Sequence, residues 1–154
     1  MNNSLTEEQV KVLNMSQSVI NEVRKVIIGK DEIIIKVLLS ILAGGHILIE
    51  DIPGVGKTTL AVALSKALSL DYKRLQFTPD VLPTDVTGFT ILNKETHKFE
   101  YKQGAALTNL FLADEINRTS SKTQSALLEV MEEGKVTVAV SYTHLRAHET
   151  RRHL

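Results

Sequence analysis

The chain has 154 residues, which suits a single domain, and its 43% hydrophobic and 23% charged residues are ordinary for a soluble globular protein. Its 18 basic and 18 acidic side chains cancel, so there is no basic excess to neutralise many phosphates, and we expect no nucleic-acid partner. The absence of cysteine excludes disulfides and thiolate metal sites and favours a cytoplasmic location.

The N-terminal part of the chain predicts neither a signal peptide nor a membrane span. The first eight residues are polar and acidic instead of basic and then apolar. The most apolar stretch, 33–49, contains Lys36 and is interrupted by Gly44 and Gly45. Because a membrane helix needs about 20 unbroken apolar residues, we expect no membrane insertion.

Two helices are predicted before the first strand. Thr6 and Gln9 have the spacing of a capping box, and a stop is predicted at Gly29. The apolar positions at helical spacing in between are Val10, Leu13, Ile20, Val23 and Ile27. A second helix is predicted from about Asp31 to Ala43, and the apolar run 46–50 is predicted as a strand buried on both faces.

The following elements continue to alternate between helices and strands, which predicts an α/β fold. A third helix is indicated by apolar residues at Leu60, Leu64, Ala67 and Leu68. Strands are predicted at 73–77, at 89–91 and 99–102 as a hairpin, at 110–113 as a buried strand, and from Val136 through Val138 to Val140. The last helix is predicted to be capped by Ser121 with Gln124 and to end at Gly134.

The strongest functional signal is a glycine-rich turn between a predicted strand and a predicted helix. Glycines let backbone N–H groups approach phosphate oxygens, and the helix N-terminus adds partial positive charge. Lys57 can reach the β- and γ-phosphates, and the Thr58 hydroxyl can bind Mg²⁺. The general pattern has glycine where this chain has Asp51, so that side chain is expected to face away. The predicted nucleotide-binding residues are Pro53, Gly54, Val55, Gly56, Lys57, Thr58 and Thr59.

Two acidic residues, Asp114 and Glu115, end the apolar run 110–113. Ligands of α/β proteins lie at the carboxyl ends of strands. By itself an acidic pair there is more often an ordinary exposed strand end, but after the glycine-rich phosphate loop it favours catalysis. We expect Asp114 to join Thr58 in binding Mg²⁺, and Glu115 to orient the attacking water. Lys57 and Glu115 are therefore the predicted catalytic residues of a phosphoryl-transfer reaction.

Together these segments resemble the MoxR-type AAA+ ATPases over residues 26–138. The segments that carry the resemblance are 28–30, 45–58, 76–88, 112–118 and 122–129. Asp51 occurs at this point in that family too. The resemblance implies an incomplete three-layer P-loop NTPase core with an N-terminal helix and a β-hairpin insert. It also implies ATP and Mg²⁺ as ligands, with Ile28 and Gly29 near the adenine.

The same resemblance implies how a full-length protein of this type acts. Members of the family form homo-hexameric rings and, like chaperones, remodel or activate partner proteins, often ones with von Willebrand factor A domains. The hairpin around 93–98 would face the ring pore or a partner, unless it is an ordinary surface meander. Arg118 would contact the nucleotide of a neighbouring subunit, unless it forms a surface salt bridge.

The C-terminal residues depart from the family pattern. After Val138 the family continues with a strand that ends in a sensor residue, an arginine finger and a helical lid. Residues 141–154 instead resemble a translated sequencing-adapter tail. We predict that 1–140 is the N-terminal part of an AAA+ ATPase domain and that 141–154 is a non-native or disordered tail. A metal site at His144 and His148 is disfavoured because no third ligand is evident.

Three functions remain open at this stage. The first is an ATPase of a ring-forming, chaperone-like machine. The second is another P-loop nucleotide enzyme, such as a GTPase, because Asn93-Lys94 resembles the start of a guanine-reading motif whose final Asp is absent. The third is a truncated chain that binds nucleotide weakly without hydrolysis, and we expect this third behaviour of the isolated chain.

Overall fold

The computed structural model describes residues 5–50 and 56–134, and the chain divides into two compact units. The N-terminal unit comprises residues 1–72, and the C-terminal unit comprises residues 73–154. Each unit has its own hydrophobic core, and each is described by itself. The last predicted strand, 136–140, and the predicted tail, 141–154, lie outside the described residues.

The first helix, α1 (Glu7–Arg24), begins at the predicted capping box. The Thr6 hydroxyl accepts a hydrogen bond of 3.3 Å from the Gln9 N–H, and the Gln9 side chain accepts one of 2.9 Å from the Thr6 N–H. The helix ends earlier than the predicted stop, at Arg24, whose guanidinium donates to both carboxylate oxygens of Asp31 at 2.9 and 3.0 Å. Gly29 then adopts a left-handed φ of 75° in the turn that leads to the next helix.

Two further helices complete the N-terminal unit, namely α2 (Asp31–Leu42) and α3 (Lys57–Ala67). Both agree with the predicted helices. They pack on α1 and bury the core residues Ile20, Val23, Ile27, Ile34, Val37, Leu38, Leu60 and Leu64. Val10 and Leu13, two of the apolar positions at helical spacing, are 43% and 54% exposed. The core is formed against the C-terminal half of α1, so its N-terminal apolar residues remain at the surface.

The predicted buried strand at 46–50 is not formed. This segment has no regular secondary structure, and its side chains at Ile47 and Leu48 are 39% and 73% exposed. A strand buried on both faces needs a sheet neighbour to satisfy its N–H and C=O groups and helices to cover its faces. Within residues 5–50 and 56–134, no strand pairs with it.

The C-terminal unit contains a short sheet of two paired strands, β1 (Tyr72–Gln76) and β4 (Leu110–Asp114). The position of β4 was predicted, but its predicted burial is wrong, because all five residues are half-buried. Phe77 follows β1 and is fully buried in a core with Val86 and Leu127. This core holds the end of β1 in place.

The predicted hairpin is confirmed as β2 (Gly88–Asn93) and β3 (Lys98–Gln103), which pair antiparallel. At its base, a Cβ on Gly88 would overlap backbone atoms of β3, so glycine is required there. The hydroxyl of the half-buried Tyr101 donates to the Thr87 carbonyl, and partial burial raises the pKa of Tyr101. At its tip, the Asn93 carboxamide oxygen accepts hydrogen bonds from the backbone N–H groups of residues 95 and 96.

Two short elements of the C-terminal unit were not predicted, α4 (Pro83–Thr87) and a 3₁₀ turn (Ile116–Arg118). The last helix, α5 (Ser121–Glu133), ends as predicted at Gly134, which has a left-handed φ of 59°. Its predicted cap is wrong by one residue. Ser120, not Ser121, accepts a hydrogen bond from the Thr123 N–H at 3.3 Å.

Candidate nucleotide-binding site

The part of the candidate site that would bind phosphate lies at the start of α3. Gly56 precedes the helix with a left-handed φ of 87°, a conformation that glycine adopts without strain. Lys57 is the first residue of the helix, and the first turn contains no acidic residue. Leu60 and Leu64 anchor the helix in the N-terminal core. The positive end of the helix and a lysine ammonium group therefore lie together, which suits a polyanion.

A pocket in the N-terminal unit adjoins this helix start. Its walls are mostly aliphatic with two lysines, and its lining residues are Ile27, Lys30, Ile33, Ile49, Gly56, Lys57 and Leu60. The predicted adenine contact Ile28 is 86% exposed, and Gly29 is exposed in the turn. Ile27 and Lys30, which flank Ile28 and Gly29 in the sequence, line the pocket. They were not predicted as site residues, and their place next to the predicted adenine contacts was the only signal for them.

The other predicted residues of the loop are only partly described. Pro53, Gly54, Val55 and the unusual Asp51 lie outside the described residues. Thr58 is half-buried in the first turn of α3, and Thr59 is exposed. The Lys57 ammonium group, the Thr58 hydroxyl and the N-terminus of α3 therefore lie in the same turn of the N-terminal unit, because these residues are adjacent in the sequence.

The two predicted carboxylates belong to the C-terminal unit. Asp114 is the last residue of β4, and its Oδ2 accepts a 2.7 Å hydrogen bond from Arg74 on β1. Glu115 follows with a left-handed φ of 56°, which is uncommon for a side-chain-bearing residue and is often found at functional sites. Its carboxylate pairs with Arg118 at 3.0 Å, so Arg118 forms the salt bridge that was one of its two predicted roles.

Sequence reasoning missed Arg74. It lies 40 residues from Asp114, and only the pairing of β1 with β4 brings the two together. No short motif spans such a separation. The segment 73–77 was predicted only as a strand, without a partner for its arginine.

The residues present suit a magnesium nucleotide. Mg²⁺ prefers oxygen ligands and is usually held by one or two protein groups together with substrate phosphates. The N-terminal unit offers the Thr58 hydroxyl as an oxygen donor and the Lys57 ammonium group as a cation, and the C-terminal unit offers the Asp114 carboxylate. Among the residues that the structure describes, no cluster of three or more His, Asp or Glu could hold a metal ion without a substrate.

A family model described as "ATPase family associated with various cellular activities (AAA)" matches residues 46–149, which is more than half of the chain. The chain belongs to this AAA ATPase family. The match covers both the Lys57 segment and the Asp114-Glu115 pair. It also confirms the predicted α/β P-loop NTPase fold.

Individual relatives narrow the assignment to the MoxR type. The chain is 57% identical over 119 residues to the uncharacterised protein YeaC of Bacillus subtilis, covering 77% of this chain and 37% of that one. It is 41% identical over 117 residues to the chaperone MoxR1 of Mycobacterium tuberculosis, covering 76% and 31%. The chain thus spans about a third of the length of these curated relatives.

A solved structure agrees with the family assignment. A crystal structure of a candidate ATPase from Cytophaga hutchinsonii superimposes with a TM-score of 0.71 and 42% sequence identity. The match covers 88% of this chain and 43% of that one. In the described parts of this AAA chain, none of the helices is both long and apolar enough to cross a bilayer.

Proposed function

We propose that this AAA domain binds ATP with Mg²⁺ through Lys57 and the adjoining loop, and that the protein to which it belongs hydrolyses ATP. The observation that carries the proposal is the placement of Lys57 at the N-terminus of α3, directly after the left-handed Gly56. The family assignment supports it at a coarser level. The other predicted loop residues, 53–55 and 58–59, belong to the same proposed site.

Each side chain has a distinct proposed task in hydrolysis. Lys57 binds the β- and γ-phosphates and offsets their charge, while Thr58 and Asp114 hold Mg²⁺, which neutralises charge on the phosphate oxygens when bound. Glu115 accepts a hydrogen bond from the attacking water and orients it. Its pairing with Arg118 is a weak obstacle, since ion pairs this exposed contribute only about 0–1 kcal/mol.

We infer that turnover by the 154-residue chain itself is slow. The segment 46–50, which leads into the loop, has no strand pairing within the described residues, and Leu48 in it is 73% exposed. A loop that binds phosphates needs a rigid support, because misplacement of reacting groups by about 1 Å lowers rates by about 100-fold. Weak nucleotide binding without appreciable hydrolysis is therefore the second candidate function.

At the level of the whole protein, we propose a cytoplasmic homo-hexameric ring that remodels or activates partner proteins. The name of the relative MoxR1, a chaperone, supports a role of this kind. The resemblance to MoxR-type ATPases also leads us to propose partner proteins that contain von Willebrand factor A domains. The hairpin offers a contact surface, because its cross-strand pair Leu92 and Phe99 is largely exposed.

A titration with a fluorescent ATP analogue in the presence of Mg²⁺ tests the proposed site. Lys57→Ala removes a charge-assisted interaction worth about 1.5–3 kcal/mol, so its affinity should fall by about 10–100-fold. Lys66→Ala is the matched control, because it removes a lysine from the last turn of the same helix. Its affinity should equal that of the wild-type chain.

Equal affinity of Lys57→Ala and wild type would contradict the proposed site. A parallel titration with fluorescent GTP separates the alternatives. Preference for GTP would support a different P-loop enzyme, although Asn93, which resembles a guanine-reading residue only superficially, forms hydrogen bonds in the hairpin turn.

A further inference from the structure

The main chain of Asp114 is held by the neighbouring strand as well as by its own. Its carbonyl oxygen accepts a 2.8 Å hydrogen bond from the N–H of Phe77, the residue that follows β1. Phe77 is fully buried in the core of the C-terminal unit, so this hydrogen bond has a firm support. The backbone at the end of β4 is therefore positioned by the core.

The side chain of Asp114 is held from the same stretch of chain. Arg74 Nη2 donates to Asp114 Oδ2 at 2.7 Å, at the short end for a charge-assisted hydrogen bond. The two side chains are 41% and 32% exposed, and pairs with this exposure contribute only about 0–1 kcal/mol to stability. The main effect of the contact is therefore on the orientation of the carboxylate. This hydrogen bond is accepted by Oδ2 of Asp114, so the second carboxylate oxygen, Oδ1, takes no part in the contact with Arg74.

We propose that Arg74 is a positioning residue that holds the Asp114 carboxylate in one orientation and thereby favours the binding of Mg²⁺ by this carboxylate. The inference rests on the proposed function, in which Asp114 belongs to the Mg²⁺ site. Groups that hydrogen-bond a metal-binding carboxylate orient it and tune its affinity for the metal.

Two effects of Arg74 on Mg²⁺ oppose each other. Its positive charge repels the ion, but solvent screens this repulsion at a side chain as exposed as Arg74. The hydrogen bond confines the carboxylate to one orientation, and without it the carboxylate samples several rotamers. The orienting effect is the larger, so removal of Arg74 weakens Mg²⁺ binding.

The test is a Mg²⁺ titration of binding to a fluorescent ATP analogue, with a matching measurement in EDTA. Arg74→Ala should raise the Mg²⁺ concentration that gives half of the maximal increase in nucleotide binding by about two- to fivefold, the upper value corresponding to about 1 kcal/mol. Its affinity in EDTA should stay unchanged, because Lys57 is intact. Arg74→Lys keeps a cationic donor and should restore most of the Mg²⁺ dependence.

A matched control and a double-mutant cycle separate positioning from folding. Arg24→Ala removes an arginine with the same 41% side-chain exposure from an ion pair with Asp31, and it should leave the Mg²⁺ titration unchanged. Asp114→Ala should shift the titration at least as far as Arg74→Ala. The double variant should behave like Asp114→Ala alone, because Arg74 acts through that carboxylate.

The outcomes distinguish this inference from the proposed function. An unshifted titration for Arg74→Ala alongside a shifted one for Asp114→Ala overturns the positioning role and leaves the proposed function intact. Additive shifts in the double variant also overturn the positioning role, since Arg74 would then act independently of Asp114. Wild-type binding that does not respond to Mg²⁺ overturns the proposed Mg²⁺ site itself.

Discussion

Glu115 combines an unusual backbone with a weakly held side chain. Its left-handed φ of 56° is maintained between the end of β4 and the 3₁₀ turn, and in the described part of the chain its carboxylate pairs with the exposed Arg118. A conformation of this kind costs on the order of 1–3 kcal/mol and persists where the surrounding structure determines it. Backbone of this kind is often found at functional sites, which agrees with the water-orienting role that we propose for Glu115.

Replacement of Glu115 by Gln tests this role at the residue scale. The change keeps the shape of the side chain and removes the charge that orients water, so single-turnover ATP hydrolysis should slow by about 100-fold or more. ATP affinity should stay within about twofold, because the phosphate contacts are elsewhere. Glu129→Gln, an exposed change on α5, should match wild type in both measurements. An unchanged hydrolysis rate for Glu115→Gln would remove it from the mechanism.

At the scale of elements, the start of α5 shows how tertiary contacts select a cap. Ser120 and Ser121 are adjacent and chemically identical candidates. The chain is extended at Ser120, with φ −66° and ψ 154°, and this residue accepts the Thr123 N–H. The Thr123 hydroxyl donates to the Val81 carbonyl at 2.8 Å, which fixes the start of the helix against the loop before α4.

The two serines therefore make a matched pair of substitutions. Ser120→Ala should lower the free energy of unfolding by about 1 kcal/mol, since it leaves a helix N–H without its acceptor. Ser121→Ala, at an exposed first helical position, should change it by less than about 0.5 kcal/mol. Urea denaturation of the two variants measures both values. A larger loss for Ser121→Ala would show that the cap lies one residue later.

At the scale of the whole molecule, the two cores differ from the segment 46–50 in how well their backbone is supported. The helical core around Val23 is fully buried and hydrogen-bonded, whereas residues 47–50 make no strand pairing within the described part of the chain. Amide protons of residues 47–50 should therefore exchange with solvent about 100-fold or more faster than those of residues 20–23.

Hydrogen–deuterium exchange with peptide-level mass spectrometry checks this expectation. The helix α1 serves as the internal control, because its amides are measured in the same sample. Comparable protection of the two regions would show that residues 47–50 are paired in solution, and the slow turnover proposed for this chain would lose its basis.

The features that the sequence alone determined are those that local interactions decide. Helical spacing with Thr6 and Gln9 at the start of α1, the period-two hairpin and the stop at Gly134 each depend on neighbours within one or two turns. The Lys57 segment and the Asp114-Glu115 pair were likewise predictable, because the binding of phosphate and Mg²⁺ requires these residue types at this spacing. The family was predicted from the resemblance that these segments carry, and the family match confirms it, whereas the roles of the site residues stay predictions.

The tertiary structure alone decided which of these local possibilities were realised. Residues 46–50 have the composition of a buried strand, but a strand forms only with a paired neighbour, and none is present among the described residues. Burial stopped short of Leu13 because the core packs on the other half of α1. The contact of Arg74 with Asp114 depends on the pairing of two strands far apart in sequence, and no local pattern encodes such a register.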